Sequence, residues 1–137
     1  ALMLETTSSC VSPFIQKACV EALRGSQEPI MKMVQEFRER RDILVEGLNC
    51  LPNISCVKPQ GAFYAFPNIT RTGWTSEEFT DVMLSEAGIA LAPGPVFGEC
   101  AEGFVRICYA NSKENIREAL KRMHILLSKK SSPIAVS

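Results

Sequence analysis

Apolar residues recur at helical spacing twice in the first third of the chain. Ile15, Ala18, Cys19, Ala22 and Leu23 make one stripe, with Ser12 placed to cap, Pro13 suited to a first turn and Gly25 as the stop. Ser26 and Pro29 introduce a longer stripe of Ile30, Met33, Val34, Phe37, Leu44 and Leu48. Between its apolar positions stand Glu36, Arg38, Glu39, Arg40 and Asp42, whose mixed signs read as a solvated helix face rather than a binding patch.

After Leu51-Pro52-Asn53 the period shortens from helical to extended. Ile54 and Cys56 alternate with polar neighbours, and Gln60-Gly61 leads into the aromatic run Ala62-Phe63-Tyr64-Ala65-Phe66. The two runs are expected to pair as a hairpin across Val57 to Gln60. Thr75 and Glu78 form a capping-box signature for a third helix, with Phe79, Val82, Met83 and Ala87 inward and Gly88 at its end. A short apolar strand, Ile89 to Ala92, enters a loop that Pro93, Gly94, Pro95 and Gly98 should keep irregular. The apolar run Phe104 to Ala110 is the last strand. A final helix opens at Asn111 or Ser112 and turns Ile116, Ala119, Leu120, Met123 and Leu127 inward.

The order helix, helix, strand, strand, helix, strand, strand, helix predicts an α+β fold: a two-layer sandwich in which helices cover a small, mainly antiparallel or mixed sheet. Residues 1–11 start abruptly in apolar residues, without a cap, and read as a segment entering from a domain upstream. The domain proper is expected over 12–127, and the Lys/Ser-rich 128–137 as a disordered tail.

Composition narrows the function. A length of 137 residues with 46% apolar content suffices for one core, and fifteen basic against fifteen acidic side chains leave no net field to attract nucleic acid or an anionic membrane. The apolar runs are far shorter than the roughly 20 residues of a bilayer span, and no signal-peptide layout opens the chain. Six cysteines without a Cys-x-x-Cys pair, and His124 as sole histidine, exclude a two-imidazole zinc site and leave no metal site in prospect. The cysteines fall at apolar positions of the pattern, so they are expected in the core of a protein from a reducing, cytoplasmic compartment.

One residue breaks the apolar pattern. Arg106 lies inside Phe104-Val105-Arg106-Ile107-Cys108-Tyr109-Ala110, where a guanidinium should point into a partly dry environment and needs an anion. No acid lies within the run. Either a distant carboxylate of the fold pairs with it, or a ligand carboxylate or phosphate meets its two-pronged fork.

Five segments in one order carry a resemblance: Pro59-Gln60-Gly61-Ala62-Phe63-Tyr64, Glu86-Ala87-Gly88-Ile89-Ala90, Pro93-Gly94-Pro95-Val96-Phe97-Gly98, Gly103-Phe104-Val105-Arg106-Ile107, and Tyr109-Ala110-Asn111-Ser112 before the last helix. Together they resemble the carboxy-terminal, small domain of class I/II pyridoxal-phosphate-dependent aminotransferases of the aspartate aminotransferase type, over roughly Met3 to Leu127. The resemblance implies that Arg106 binds the α-carboxylate of an amino-acid or 2-oxo-acid substrate. It places Gly61 and Tyr64 on the strand beneath the cleft and Phe97 in the loop at its mouth, as further substrate-side candidates. For Phe63, Tyr64 and Phe66 the alternative is core packing, and for the loop an ordinary turn. Thr7, Ser8 and Ser9 resemble the stretch that reaches toward the cofactor phosphate, although a Ser/Thr cluster also suits a plain loop. Asn111 reads better as a helix cap than as a ligand.

The same resemblance implies pyridoxal phosphate as cofactor, a large domain and a homodimer as partners, and transfer of an amino group between an amino acid and a 2-oxo acid. The Ser-Lys context that would hold the cofactor does not occur in this sequence, and the lysines read as surface charges. The chain alone is therefore expected to be inactive, with no catalytic residue of its own. Alternatives are a lyase or synthase that uses the same cofactor and fold, and a non-catalytic regulatory domain that binds a carboxylate.

Overall fold

The computed structural model describes residues 10–131, and the chain divides between Val34 and Gln35 into two compact units. In the first unit, helix α1 (Pro13–Arg24) starts with proline at its first position and stops at Gly25, whose N–H donates to the Glu21 carbonyl. None of its residues is buried. The stripe expected to face inward leaves Ile15 and Leu23 exposed, as are Ile30, Met33 and Val34 at the start of helix α2 (Glu28–Asn49). The helical period is therefore real there, but among the described residues these positions are left exposed.

The core belongs to the second unit. From Phe37 onward α2 contributes Leu44, Val45 and Leu48, and these pack with Phe79 and Met83 of helix α3 (Ser76–Ala87) and with Ile116, Met123 and Leu127 of helix α4 (Lys113–Ser131). The helices back a three-stranded antiparallel sheet of β1 (Tyr64–Ala65), β2 (Ala92–Pro93) and β3 (Val105–Cys108), in the order β1-β3-β2. This is the α+β sandwich that the periods imply. Val105 and Ile107 point into the core at 0% and 8% exposure, which turns Arg106 to the opposite face.

The expected hairpin between Ile54–Cys56 and Ala62–Phe66 does not form. The Asn49 side chain takes both backbone groups of Cys56, accepting from its N–H at 2.8 Å and donating to its carbonyl at 3.0 Å, so no ladder can use them. Ser55 instead makes one isolated antiparallel bridge, to Asn68, and the aromatic run pairs with β3 through Tyr64↔Cys108 and Ala65↔Ile107. The strand expected over Ile89–Ala92 contracts to Ala92–Pro93, with proline accommodated at the sheet edge.

The loop expected to be irregular is ordered as two short 3-10 turns, Gly94–Phe97 and Glu99–Ala101. Gly94 allows this. It is buried, its N–H donates to the Phe104 carbonyl at 2.9 Å, and a Cβ there would overlap the Ala101 carbonyl and lie 2.7 Å from that of Phe104. Gly103, at φ 82°, then donates to Ser76 Oγ at 2.9 Å, and Glu102 accepts from the Ser76 N–H at 2.8 Å at the start of α3. The approach to β3 is thus pinned to a helix terminus.

The capping box of α3 is present as expected: Glu78 N–H donates to Thr75 Oγ1, and Glu78 Oε2 accepts from Thr75 N–H, before Gly88 ends the helix in the left-handed region. At α4 the cap is Ser112, whose Oγ accepts from Asn115 N–H at 3.1 Å, while Asn111 Oδ1 accepts from Ser112 N–H. The helix runs to Ser131, so residues 128–131, expected in a disordered tail, are helical, and 132–137 lie outside the described residues.

The cysteine expectation is also corrected. Cys10, Cys19, Cys50, Cys100 and Cys108 are exposed, and Cys56 alone is buried, where desolvation pushes its thiol pKa up. Cys19 shares the uncovered helix α1. Cys50 follows the last residue of α2, and Cys108 sits on the outward register of β3. No described helix is long and apolar enough to cross a membrane, and no cluster of three or more metal-ligating side chains occurs among the described residues.

Two outcomes follow for stability. Gly94→Ala should lower the urea midpoint by the equivalent of about 2 kcal/mol or more, because backbone rather than a movable side chain meets the new methyl group; an unchanged midpoint would contradict the close approach. Lys113 bridges α4 to α2, pairing with Glu39 at 2.5 Å and Glu36 at 3.3 Å, and its hydrogen bond holds the Glu39 carboxyl below the usual range. A depressed carboxylate pKa contributes stability above its unfolded value, and that contribution is lost as the pH falls through the folded value. Lys113→Met should therefore cost stability at pH 7 and cost less once the carboxyls are protonated, as read from urea midpoints at the two pH values.

Candidate functional site

Strand β3 is central in the sheet, so both neighbours can build around whatever it presents. On its outer face stands Arg106, half-buried. Tyr64 pairs with Cys108, two residues along on the same face, which makes Tyr64 and Arg106 diagonal cross-strand neighbours within reach of long side chains. The Arg106 guanidinium carbon lies 4.4 Å from the centre of the Tyr64 ring. From the other side, the turn that Gly94 admits behind β2 delivers Phe97, whose ring centre is 4.5 Å from the same carbon.

The guanidinium carbon therefore has two ring centres within 4.5 Å of it. Cation–π attraction of this kind contributes about 0.5–2 kcal/mol per ring, more as water is excluded. Both rings are themselves supported: Tyr64 packs against Phe63 at 4.5 Å between centres, and Phe97 meets Phe66 edge-on at 6.1 Å. Phe66 in turn stacks on Phe104 at 5.5 Å with the planes 7° apart.

Aromatic rings satisfy a cation's faces, but they do not satisfy its N–H groups. None of the ion pairs among the described residues involves Arg106. Glu102, the nearest acid before it in the sequence, is engaged at the start of α3. The structural ion pair that the sequence left open is thus not formed among the described residues, and the site can accept one planar anion at its edge.

The other sequence candidates fall as follows. Tyr64 and Phe97 are brought to Arg106. Gly61 is exposed with open space around the position of a Cβ, and the left-handed backbone of that turn is at Ala62 (φ 57°) instead. Tyr109 is core, 2% exposed, with its hydroxyl donating to the Ala62 carbonyl at 2.9 Å, and burial raises its pKa. Asn111 braces the cap of α4. Thr7, Ser8 and Ser9 lie outside the described residues. Sequence reasoning missed Gly94 as the residue that sets Phe97, and Phe66 as its support. The only signal for either was a Pro-Gly-Pro segment followed by Phe97.

A separate cavity of about 420 Å³ opens between the 88–91 segment, the end of β3 and α4, with Cys108, Asn115 and Arg122 among its lining. Arg122 is occupied there by Glu118 at 2.8 Å, so the cavity presents no comparable free guanidinium.

Comparison with known proteins gives the family of the chain. The sequence profile described as aminotransferase class I and II matches residues 2–123. Aspartate aminotransferase of Pyrococcus horikoshii is 44% identical over 115 residues, which cover 82% of this chain and 29% of that protein. Aromatic-amino-acid aminotransferase 2 of Thermococcus litoralis is 41% identical over 125 residues, 90% of this chain and 32% of that one. Among solved structures, an aromatic aminotransferase from Pyrococcus horikoshii superposes with a TM-score of 0.85 at 39% identity, covering 91% of this chain and 34% of that one. The aspartate aminotransferase of Rhizobium meliloti gives the same TM-score at 32% identity, covering 93% and 34%. The chain thus spans about a third of the length of the relatives that it matches. With its fold, its motif order and its profile in agreement over nearly all its length, this chain belongs to the class I and II aminotransferases.

Proposed function

We propose that this chain is the substrate-gripping small domain of a pyridoxal-phosphate-dependent aminotransferase, in which Arg106 binds the α-carboxylate shared by amino-acid and 2-oxo-acid substrates. The observation that carries this reading is the guanidinium packed against the rings of Tyr64 and Phe97, with no ion pair to an acid among the described residues. A carboxylate gripped by two parallel N–H donors is fixed in orientation as well as in place, so the bonds at Cα are aimed consistently at the cofactor.

The lysines whose surroundings are described do not fit a covalent cofactor site. Lys17, Lys121 and Lys129 are exposed, and Lys32, Lys58 and Lys113 pair with Glu28, Asp42 and the Glu36/Glu39 pair. None lies in the low-dielectric setting that lowers a lysine pKa for Schiff-base chemistry. On this reading the lysine and the phosphate-binding groups belong to a large domain, with Ser8 and Ser9 on the path toward it, and the intact enzyme works as a homodimer in the cytoplasm.

Two measurements test the proposal. In the intact enzyme, Arg106→Lys keeps the charge and loses the fork; kcat/KM for the amino acid should fall about 10- to 100-fold, mostly through KM, in line with about 1.5–3 kcal/mol for hydrogen bonds to a charged group. An unchanged KM would remove the substrate role. The 137-residue chain alone, supplied with pyridoxal phosphate, an amino acid and a 2-oxo acid, should give no turnover above the cofactor free in solution.

A further inference from the structure

The two rings beside Arg106 have more to do than fill space. If they served only as core packing they would be buried, yet Phe97 is 48% exposed, and Phe63 and Phe66 behind the pair are 40% and 39% exposed. Five rings and one cation form an unbroken series of contacts: Phe63, Tyr64, Arg106, Phe97, Phe66 and Phe104. An arginine side chain has several rotatable bonds and on an open sheet face would sample many rotamers, each lowering the fraction poised for binding. Ring centres at 4.4 Å and 4.5 Å from the guanidinium carbon restrict that freedom, and no ion pair among the described residues takes its N–H groups.

The geometry points to Tyr64 and Phe97 as positioning residues that act through Arg106: they lock the plane of its fork, so that the site discriminates a planar carboxylate from its uncharged isostere. This rests on the carboxylate role given to Arg106 above and assigns neither ring a contact with substrate. Phe97 is the more telling partner. It comes from a turn whose closure depends on Gly94, so the orientation of the fork is tied to that turn through one side chain. Tyr64 is fixed instead by strand pairing and by Phe63.

The test uses the intact enzyme and a pair of competitive inhibitors, hexanoate and hexanamide, whose ratio of inhibition constants reports grip on the charge alone. Phe97→Leu and Tyr64→Leu should each lower the preference for carboxylate by roughly tenfold, the size expected of one lost cation–π partner, with affinity for the carboxamide little changed. Phe97→Tyr and Tyr64→Phe keep the rings and should restore the preference. In an Arg106→Lys background neither leucine variant should have a further effect, because there is no fork left to position.

Loosened folding would weaken both inhibitors together, and that outcome overturns the proposal, as does a leucine variant that retains the full preference. Should either leucine variant fail to fold, the ring-retaining variants still decide, since loss of preference in them would show that the ring itself is not what orients the fork. If Arg106→Lys in the wild-type background leaves the preference intact, the carboxylate role fails first, which separates the two claims.

Discussion

A guanidinium on the central strand of the sheet, with two aromatic rings against it and no ion pair to an acid among the described residues, is the constraint around which this chain is arranged. A cation on an apolar strand is tolerable only if something meets it. Here two rings meet it, one from β1 and one from the turn after β2. Much of the second unit serves that placement. Val105 and Ile107 anchor the inner face of β3, Gly94 folds the turn that carries Phe97, and Ser76 with Glu102 and Gly103 pins the approach to the strand against α3.

The arrangement also explains how a small sheet can carry a specific site. Strands of two to four residues have little ladder of their own. Their order is maintained by the core beneath, where helices contribute Leu48, Phe79, Met83 and Met123 at 0–2% exposure. Rigid packing below and an aromatic row above leave the arginine little freedom, and preorganisation of that kind lets binding energy go into orienting a substrate. The first unit differs, since its helix presents apolar residues that are not buried among the described residues. The chain spans about a third of its relatives' length.

Where local signals dominate, the sequence was easy to read. The capping box at Thr75 and Glu78, the stop at Gly88 and the inward faces of α3 and α4 are set within one or two turns of helix, and all form as their patterns imply. Arg106 stood out because a charge in an apolar strand has few explanations. What the pattern could not show is long-range. The hairpin failed because the Asn49 side chain, seven residues away, occupies the backbone of Cys56. Five of the six cysteines, apolar by period, lie outside because periodicity reports which face a residue shares and not whether anything covers it. Gly94 and Phe66 were illegible as site-builders because their importance lies in contacts with Ala101, Phe97 and Phe104 across turns.

The most direct test of the central claim is a crystal structure of the intact enzyme with a substrate-like carboxylate bound. The account predicts both carboxylate oxygens at about 2.7–2.9 Å from the Arg106 fork, in the plane of the guanidinium, with Tyr64 and Phe97 still on its two faces. A carboxylate held elsewhere, or Arg106 turned onto an acid of the protein while substrate is bound, would contradict it.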